Sequence, residues 1–204
     1  MYAIPLGAPG DDGKRVELRP LEPWHGEEFL AHLNRGREFI NRFIPFGATA
    51  MDLDGARDVL QRYADRRAAD TGSLHGLWLD GRLVGGVLLL NFDAANGTCE
   101  AGCWLEPAAT GRGLVTRAAR VLIDWAIESR GIHRVEWVAA AGNEASLNVA
   151  RRLGMTRDGV RRGAHLHHDV RHDLEVWSVL APEWREARAR TTPEGIHDGT
   201  HDDH

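Results

Sequence analysis

Apolar and polar positions alternate in the middle of the chain in a pattern that predicts consecutive antiparallel strands. Residues 77–79 and 83–84 are apolar and flank Asp80-Gly81, a dipeptide that readily takes the positive φ angles of a tight hairpin. Asn96-Gly97 repeats this signal after the apolar run 87–92. Because each strand would turn directly back on the one before it, the pattern indicates a β-meander and not the start of a βαβ unit.

The remaining segments add helices and strands on both sides of this meander. Apolar side chains recur at helical spacing in residues 24–34, 54–70, 114–126 and 146–153. Short alternating or apolar stretches predict further strands at residues 16–19, 98–105, 134–139, 156–162 and 170–180. Together these elements predict a fold that mixes helices and strands, with no internal repeat.

The two ends of the chain differ in composition from the part between them. Residues 1–14 are rich in Gly, Pro and Asp, and residues from 186 onward are polar and rich in His and Asp. A length of 204 residues with 43% hydrophobic composition suffices for one domain with a sizeable core. We therefore expect an N-terminal arm at 1–14, one domain at 15–182 and a polar tail at 183–204.

Charge and cysteine content narrow the class of protein. A formal net charge of −5 gives no support to a nucleic-acid surface, which requires a strongly basic face. Cys99 and Cys103 are four residues apart in a predicted strand, so their Cα atoms would lie roughly 13 Å apart, beyond the ~7 Å that a disulfide spans. We found no secretory signal and no apolar stretch of ~18 residues. These features are typical of a soluble cytoplasmic protein with reduced thiols and no membrane partner.

The candidate chemistry begins with a glycine-containing turn at residues 110–116. It follows a predicted strand and opens a predicted helix, so several backbone N–H groups would converge at a helix N-terminus and suit a phosphate anion. The turn lacks both the Gly-Lys-Ser/Thr of a Walker A loop and the third glycine of a Rossmann fingerprint. With two glycines alone, an ordinary loop is an equally good interpretation. Its residues are Thr110, Gly111, Arg112, Gly113, Leu114, Val115 and Thr116.

Two neighbouring segments make the turn more specific. Residues 100–107 read EAGCWLEP and lead into it, and residues 143–155 read NEASLNVARRLGM and follow one helix and one strand later. This combination resembles the GNAT superfamily, specifically its RimJ/RimL-type ribosomal-protein N-terminal acetyltransferases, over about residues 15–180. The resemblance implies the GNAT fold of the α/β (α+β) class. This is a mixed, mostly antiparallel sheet of six or seven strands with helices on both faces, splayed between its fourth and fifth strands, here 98–105 and 134–139.

The resemblance also implies that acyl-CoA lies in the gap between those two strands. The turn 110–116 would bind its pyrophosphate through backbone amides, the backbone of Leu105 would contact the pantetheine, and Asn143 would add a polar contact. Family members usually carry Gln or Arg where this chain has Thr110, and often a small residue in place of Val115. Both departures leave backbone donation intact, although a side chain that braces the loop is lost.

Acyl transfer to an amine needs a base for the amine and a proton donor for the leaving thiolate. An α-amine titrates near ~8 and lysine near ~10.4, so a base is useful. Glu100 lies on the strand beside the proposed cofactor and could accept the proton directly or through water, or it could be a structural carboxylate. Neither tyrosine lies near the cofactor segment, and RimL-like enzymes are proposed to use the serine that corresponds to Ser146. This serine could also be an N-cap.

The segment 165–173 is rich in titratable groups. Similarity to RimL-like proteins sets His165 where a catalytic glutamate often stands, and a histidine with a pKa near ~6.5 would be a competent base. A solvated hairpin turn is the simpler interpretation. The histidine spacing lacks the pattern of a structural zinc site, so we expect no metal. Asp173 matches an acidic position of the family that would orient the acceptor amine or hold the turn.

The acceptor side would be walled by residues 41–46, where the family places a substrate-facing pair. Phe43 and Phe46 would contact the acceptor there, or they would form a hydrophobic plug under a helix. The two interpretations are equally compatible with the sequence.

The sequence as a whole predicts an N-acyltransferase that moves acetyl from acetyl-CoA directly to a primary amine, without a covalent enzyme intermediate. A protein N-terminal amine of the ribosomal-protein type is the leading acceptor, and a small-molecule amine such as an antibiotic or a polyamine is the alternative. A non-catalytic acyl-CoA-binding sensor is the rival from another class. A metal-dependent histidine-cluster enzyme is a third. The oligomeric state stays open, with a homodimer as one option because family members are often dimers.

Overall fold

The computed structural model describes residues 3–6, 15–44 and 46–191. Most of the expected N-terminal arm and residues 192–204 of the expected tail lie outside this part of the chain. The strands are β1 Ile4–Pro5, β2 Val16–Pro20, β3 Ser73–Leu79, β4 Arg82–Asp93, β5 Thr98–Leu105, β6 Arg134–Ala140, β7 Thr156–His167 and β8 Val170–Leu180. The helices are α1 Gly26–Asn41, α2 Phe46–Thr49, α3 Leu53–Ala68, α4 Leu114–Asp124, α5 Glu144–Arg152 and α6 Ala181–Thr191.

The described strands form one eight-stranded sheet in the order β1-β2-β3-β4-β5-β6-β8-β7. All neighbours are antiparallel except β5 and β6, which run parallel, so the predicted mixed and mostly antiparallel sheet is confirmed. The described sheet has eight strands, one more than the upper value of the six or seven predicted. The additional strand, β1, pairs two residues of the expected arm with β2 and is too short to show any alternation.

Both hairpin signals mark real connections between strands, although the two turns differ. Asp80 and Gly81 have φ angles of 49° and 80°, as expected for a two-residue turn between β3 and β4. In the second connection only Gly97 has a positive φ, 68°, and the Asp93 carboxylate accepts a hydrogen bond of 3.0 Å from the Asn96 amide. This turn is therefore a wider loop that closes on an aspartate side chain.

The two parallel strands separate partway along their length. The register between β5 and β6 runs from Thr98↔Arg134 to Ala101↔Trp137 and ends there. Beyond this point β5 continues its pairing with β4, and β6 continues its pairing with β8. The sheet is thus splayed between the strands that the sequence analysis predicted, and a gap opens beyond Ala101 and Trp137.

Two apolar clusters lie on opposite faces of the sheet. One joins α4, α5 and the sheet around Leu122, Val135 and Trp137, and the other joins α1 and α3 to the sheet around Phe29 and Trp104. A polar tail was expected from residue 183, but Ala181–Thr191 form the helix α6. Its Trp184 is only 3% exposed, and the indole N–H donates to the Asp124 carboxylate at 2.7 Å.

In the described part of the chain, none of the helices has the length and apolar character of a membrane span.

Two histidines on different elements are buried. His32 on α1 is 0% exposed and His75 on β3 is 4% exposed. Burial disfavours the charged imidazolium and lowers the pKa of each to about 4. Both side chains are therefore neutral in the folded protein at physiological pH.

These histidines should make stability depend on pH. Their folded-state pKa is lowered, so between pH 6.5 and 4 the unfolded chain binds protons that the folded chain does not. The free energy of unfolding should fall as the pH drops through this range, by up to about 3 kcal/mol for each histidine. Urea unfolding measured across the range checks this.

A His75→Gln variant should lose roughly half of this pH dependence, whereas a variant of the exposed His133, His133→Gln, should keep all of it. Equal slopes in both variants and the parent would contradict the assignment.

Candidate active site

A cavity of about 520 Å³ opens at the gap between β5 and β6. Its walls are the end of β5, the end of α1 and the segments that begin α4 and α5. Most of the residues singled out in the sequence as a cofactor site meet here, although they come from three separate segments. The cavity is lined by Leu105, Thr110, Gly111, Arg112, Gly113, Leu114, Val115, Thr116, Asn143 and Ser146, and by Phe43 from the acceptor wall.

The glycine turn owes its shape to two left-handed backbone conformations. Gly111 has a φ of 77°, and Gly113, the N-cap of α4, has a φ of 66°. A Cβ on either glycine would meet no described atom within 4 Å, so these positions need glycine for the backbone angle and not for space. Thr110 closes the preceding turn, because its hydroxyl donates to the Pro107 carbonyl at 2.8 Å.

This turn leads directly into the first turn of α4. The N–H groups at the start of a helix have no carbonyl partner within the helix, and they lie at the positive end of its dipole. Here Leu114, Val115 and Thr116 supply those groups at the wall of the cavity. The arrangement can hold a phosphate oxygen without any contribution from a side chain.

The start of α5 is capped by Asn143. Its side-chain oxygen accepts a hydrogen bond of 3.3 Å from the Ser146 amide. The alternative interpretation of Ser146 as an N-cap is therefore wrong, because Asn143 already occupies that position and Ser146 is the third residue of the helix. The Ser146 hydroxyl is consequently available for another role.

A tryptophan that the sequence analysis did not single out contacts this hydroxyl. The indole N–H of Trp137 donates to the Ser146 Oγ at 2.9 Å, and Trp137 is 1% exposed. In the sequence, a tryptophan within an apolar strand looks like a core residue. Only the tertiary structure shows that its polar edge reaches the start of α5.

The end of β5 presents backbone groups to the cavity. On one edge this part of the strand is paired with β4, from Leu88↔Gly102 to Gly85↔Leu105. The other edge has lost β6 as a neighbour, since the register between the two strands ends at Ala101. The strand edge at Cys103 and Leu105 can therefore pair with an extended ligand that carries amide groups.

The cavity wall is positively charged, although the whole chain carries a net charge of −5. Among the described residues that line it are three arginines and one acidic residue, Glu144. Arg112 was part of the predicted turn. Arg42 at the end of α1 and Arg152 in α5 lie in segments that the sequence analysis quoted, but neither was predicted to contact the cofactor. This local excess of positive charge suits a ligand with several phosphate groups.

Glu100 lies just outside this cavity, at the base of the gap. It stands opposite Glu136 in the β5–β6 register, and its carboxylate accepts a hydrogen bond of 3.2 Å from the Asn91 side chain. Burial, reinforced by the neighbouring Glu136, raises the pKa of Glu100 above its ordinary value. A glutamate with a raised pKa is a better proton acceptor for an amine near neutral pH.

The structure does not place three other predicted site residues, Asp173, Phe46 and His165, at the cavity wall. The Asp173 carboxylate accepts a hydrogen bond of 2.7 Å from the Gly163 amide and thus holds the irregular part of β7 between Arg161 and His165. Phe46 is 7% exposed and packs edge-to-face on Trp104, which is the plug described above as the alternative.

His165 belongs to the β7–β8 hairpin, where its ring stacks on His167 with centroids 5.5 Å apart. Burial, together with the nearby His167 and His172, lowers the pKa of His165. The hairpin reaches the end of α1 because the His167 Nε2 lies 2.7 Å from the Asn41 carbonyl oxygen. Among the described residues, no group of three or more His, Cys, Asp or Glu side chains is arranged to hold a metal ion.

A buried polar network joins α1 to the end of β5. The indole of Trp104 donates to the His32 Nε2 at 3.0 Å, and the His32 Nδ1 lies 3.3 Å from the Glu106 carboxylate. Arg35 and Arg82 donate to the same carboxylate. Burial opposes ionisation, but these two guanidinium groups outweigh it and hold the pKa of Glu106 below its ordinary value.

The network should be a main source of stability for the cavity wall. In a Glu106→Gln variant, two arginines lose their shared carboxylate, so we expect the free energy of unfolding to fall by about 2 kcal/mol. Urea unfolding measures the change. Glu186→Gln is the matched control, because Glu186 also pairs with an arginine but is 71% exposed and should change stability little. An equal effect of both variants would show that the buried network contributes nothing extra.

Comparison with known proteins adds the family context. The family model for the acetyltransferase (GNAT) domain matches residues 15–156. A putative ribosomal N-acetyltransferase, YdaF of Bacillus subtilis (strain 168), is 30% identical over 176 residues, which cover 84% of this chain and 94% of that protein.

Solved structures are similar over most of the fold. RimL, a ribosomal L7/L12 alpha-N-protein acetyltransferase in complex with coenzyme A, superposes with a TM-score of 0.81 at 17% identity, covering 88% of this chain and 98% of that chain. The microcin C7 self-immunity acetyltransferase MccE, in complex with acetyl-CoA and AMP, superposes with a TM-score of 0.77 at 22% identity, covering 81% and 92%.

Proposed function

The chain belongs to the GNAT acetyltransferase family, and we propose that it transfers an acetyl group from acetyl-CoA to the N-terminal amine of a protein. The observation that carries the proposal is the cavity at the β5–β6 gap. There, a helix start fit for phosphate, a free strand edge and the Ser146 hydroxyl all face one space. The relative from Bacillus subtilis, named as a putative ribosomal N-acetyltransferase, supports a protein acceptor.

The residues of the cavity fit acetyl-CoA part by part. The first-turn amides of α4 would hold the pyrophosphate, and Arg42, Arg112 and Arg152 would offset the negative charge of the phosphates. The open edge of β5 at Leu105 would hydrogen-bond to the amide groups of the pantetheine arm. Acetyl-CoA would supply the reactive thioester, and the protein would supply the geometry in which that thioester meets the amine.

Two side chains near the point where β5 and β6 separate would transfer the protons. Glu100 would accept the proton of the attacking amine, directly or through water, because its raised pKa makes it a useful base. Ser146 would donate a proton to the departing sulfur. Backbone amides of β5 would polarise the thioester carbonyl, and no covalent bond to the enzyme is needed.

Thiol release from acetyl-CoA tests this function. We expect release that depends on peptides with ribosomal-protein N-terminal sequences, with weaker or no release for polyamines and an aminoglycoside. Ser146→Ala and Glu100→Gln should each lower kcat by about 10- to 100-fold, because each removes one proton-transfer group. His165→Gln serves as the comparison that tests the alternative base.

Other outcomes would favour the alternatives. Release with the small amines alone would point to a small-molecule acetyltransferase. Binding of acetyl-CoA without release for any amine would point to a sensor. The proposed transfer needs no metal ion, so loss of activity on adding a chelator would contradict it and favour a metal-dependent histidine-cluster enzyme.

The glycine turn gives a separate prediction for cofactor binding. In Gly113→Ala the added methyl group is strained at a φ of 66°, so the turn should relax and move the amides of α4. We expect the dissociation constant for coenzyme A, measured by calorimetry, to rise by about fivefold to tenfold.

Gly131→Ala is the matched control, since Gly131 has a φ of 70° but lies outside the cavity. It should lower stability by a similar amount and leave the dissociation constant unchanged. If Gly113→Ala binds coenzyme A as tightly as the control, the turn is not the phosphate site.

A further inference from the structure

The contact between Trp137 and Ser146 has a direction that matters for chemistry. An indole nitrogen can only donate a hydrogen bond, so the Ser146 Oγ is the acceptor in the 2.9 Å contact. A serine hydroxyl also carries one hydrogen of its own. Because Trp137 occupies a lone pair of the oxygen and leaves that hydrogen free, the hydroxyl keeps its capacity to donate.

The other described contact of Ser146 does not use the hydroxyl hydrogen, which can therefore bond to a ligand in the cavity. Its backbone N–H is bonded to the Asn143 side chain, and the residue itself lines the cavity wall. The buried indole fixes the oxygen, and the residue that carries it lies at the wall of the cavity. A hydroxyl held in this way has lost the freedom to rotate its oxygen away from a ligand in the gap.

The position of Trp137 follows from the same feature that creates the cavity. Trp137 lies at the last position at which β6 pairs with β5, opposite Ala101. On its other edge β6 stays paired with β8, where Trp137 lies opposite Trp177. At 1% exposed, the side chain cannot move without disturbing the core around it. The donor therefore has a fixed place at the point where the two strands separate.

We propose that Trp137 is a positioning residue that orients Ser146 as the proton donor to the leaving sulfur and stabilises the negative charge that develops on the Ser146 oxygen. As the carbon–sulfur bond breaks, the sulfur takes the bonding electron pair and the proton of the serine hydroxyl. The serine oxygen then recovers a proton from solvent, while Glu100 holds the proton released by the amine. This inference rests on the role given to Ser146 in the proposed function.

The thiol of bound coenzyme A offers a readout that does not require turnover. A donor hydrogen bond to the sulfur favours the thiolate and lowers the pKa of that thiol. The thiolate can be followed by its ultraviolet absorbance during a pH titration of the complex. The same titration of the ligand-free protein gives the contribution of Cys99 and Cys103, which is subtracted; burial raises the pKa of the Cys99 thiol to about 12.

We expect Ser146→Ala to raise the pKa of the bound thiol by about one unit, and Trp137→Phe to raise it by about half a unit. In the Ser146→Ala background, Trp137→Phe should cause no further change, because the residue would act only through the serine. Trp184→Phe is the matched control. It also removes a buried indole donor, here to Asp124, but far from the cavity, and it should not shift the pKa of the thiol.

The kinetic counterpart is a fall in kcat of about fivefold in Trp137→Phe, with the KM for acetyl-CoA unchanged. Thermal unfolding of both tryptophan variants separates a general loss of stability from this effect.

The outcomes distinguish the two proposals. If Ser146→Ala leaves the thiol pKa and kcat unchanged, the role of Ser146 in the proposed function fails. If Ser146→Ala acts as expected but Trp137→Phe has no effect, or an equal effect in both backgrounds, only the positioning role of Trp137 is overturned.

Discussion

The separation of β5 from β6 beyond the Ala101↔Trp137 pair is the constraint on which the rest of the site depends. Two strands that stop pairing leave backbone hydrogen-bonding groups without partners, and such groups are costly unless water or a ligand satisfies them. The sheet tolerates the gap because each strand keeps its other neighbour, β4 or β8. The gap therefore combines a rigid frame with an edge that is ready to bind a ligand.

The elements around the gap give this opening the groups that the proposed acyl-CoA site needs. Helices α4 and α5 both begin at its wall, one after the left-handed glycine turn and one after the Asn143 cap. On the opposite side, the buried network of Glu106 with its arginines fixes the end of β5 against α1. The glycine turn, the Asn143 cap and the Glu106 network are separate structural features, but the position of each relative to the gap depends on where β5 ends. Displacement of that strand would move the phosphate site and the strand edge together.

The two side chains proposed to transfer protons occupy contrasting environments. Glu100 is partly buried beside another carboxylate, which favours its protonated form and makes it basic enough to be useful. Ser146 is held by two hydrogen bonds, one to its oxygen from Trp137 and one from its amide to Asn143. The environment of Glu100 changes its pKa, whereas the environment of Ser146 fixes its orientation.

The sequence by itself determined the meander, the glycine turn and the helix that follows, because hairpin dipeptides and apolar periodicity are local properties of the chain. It also indicated the family, through motifs that stand in a fixed order. Only the tertiary structure decided that the Trp137 indole donates a hydrogen bond to Ser146, that Arg42 and Arg152 line the cavity, and that Asp173 holds an irregular part of β7. These contacts join residues that are distant in the chain or lie on different elements. No local pattern encodes them, since they are set by where the strands diverge and by which faces the helices bury.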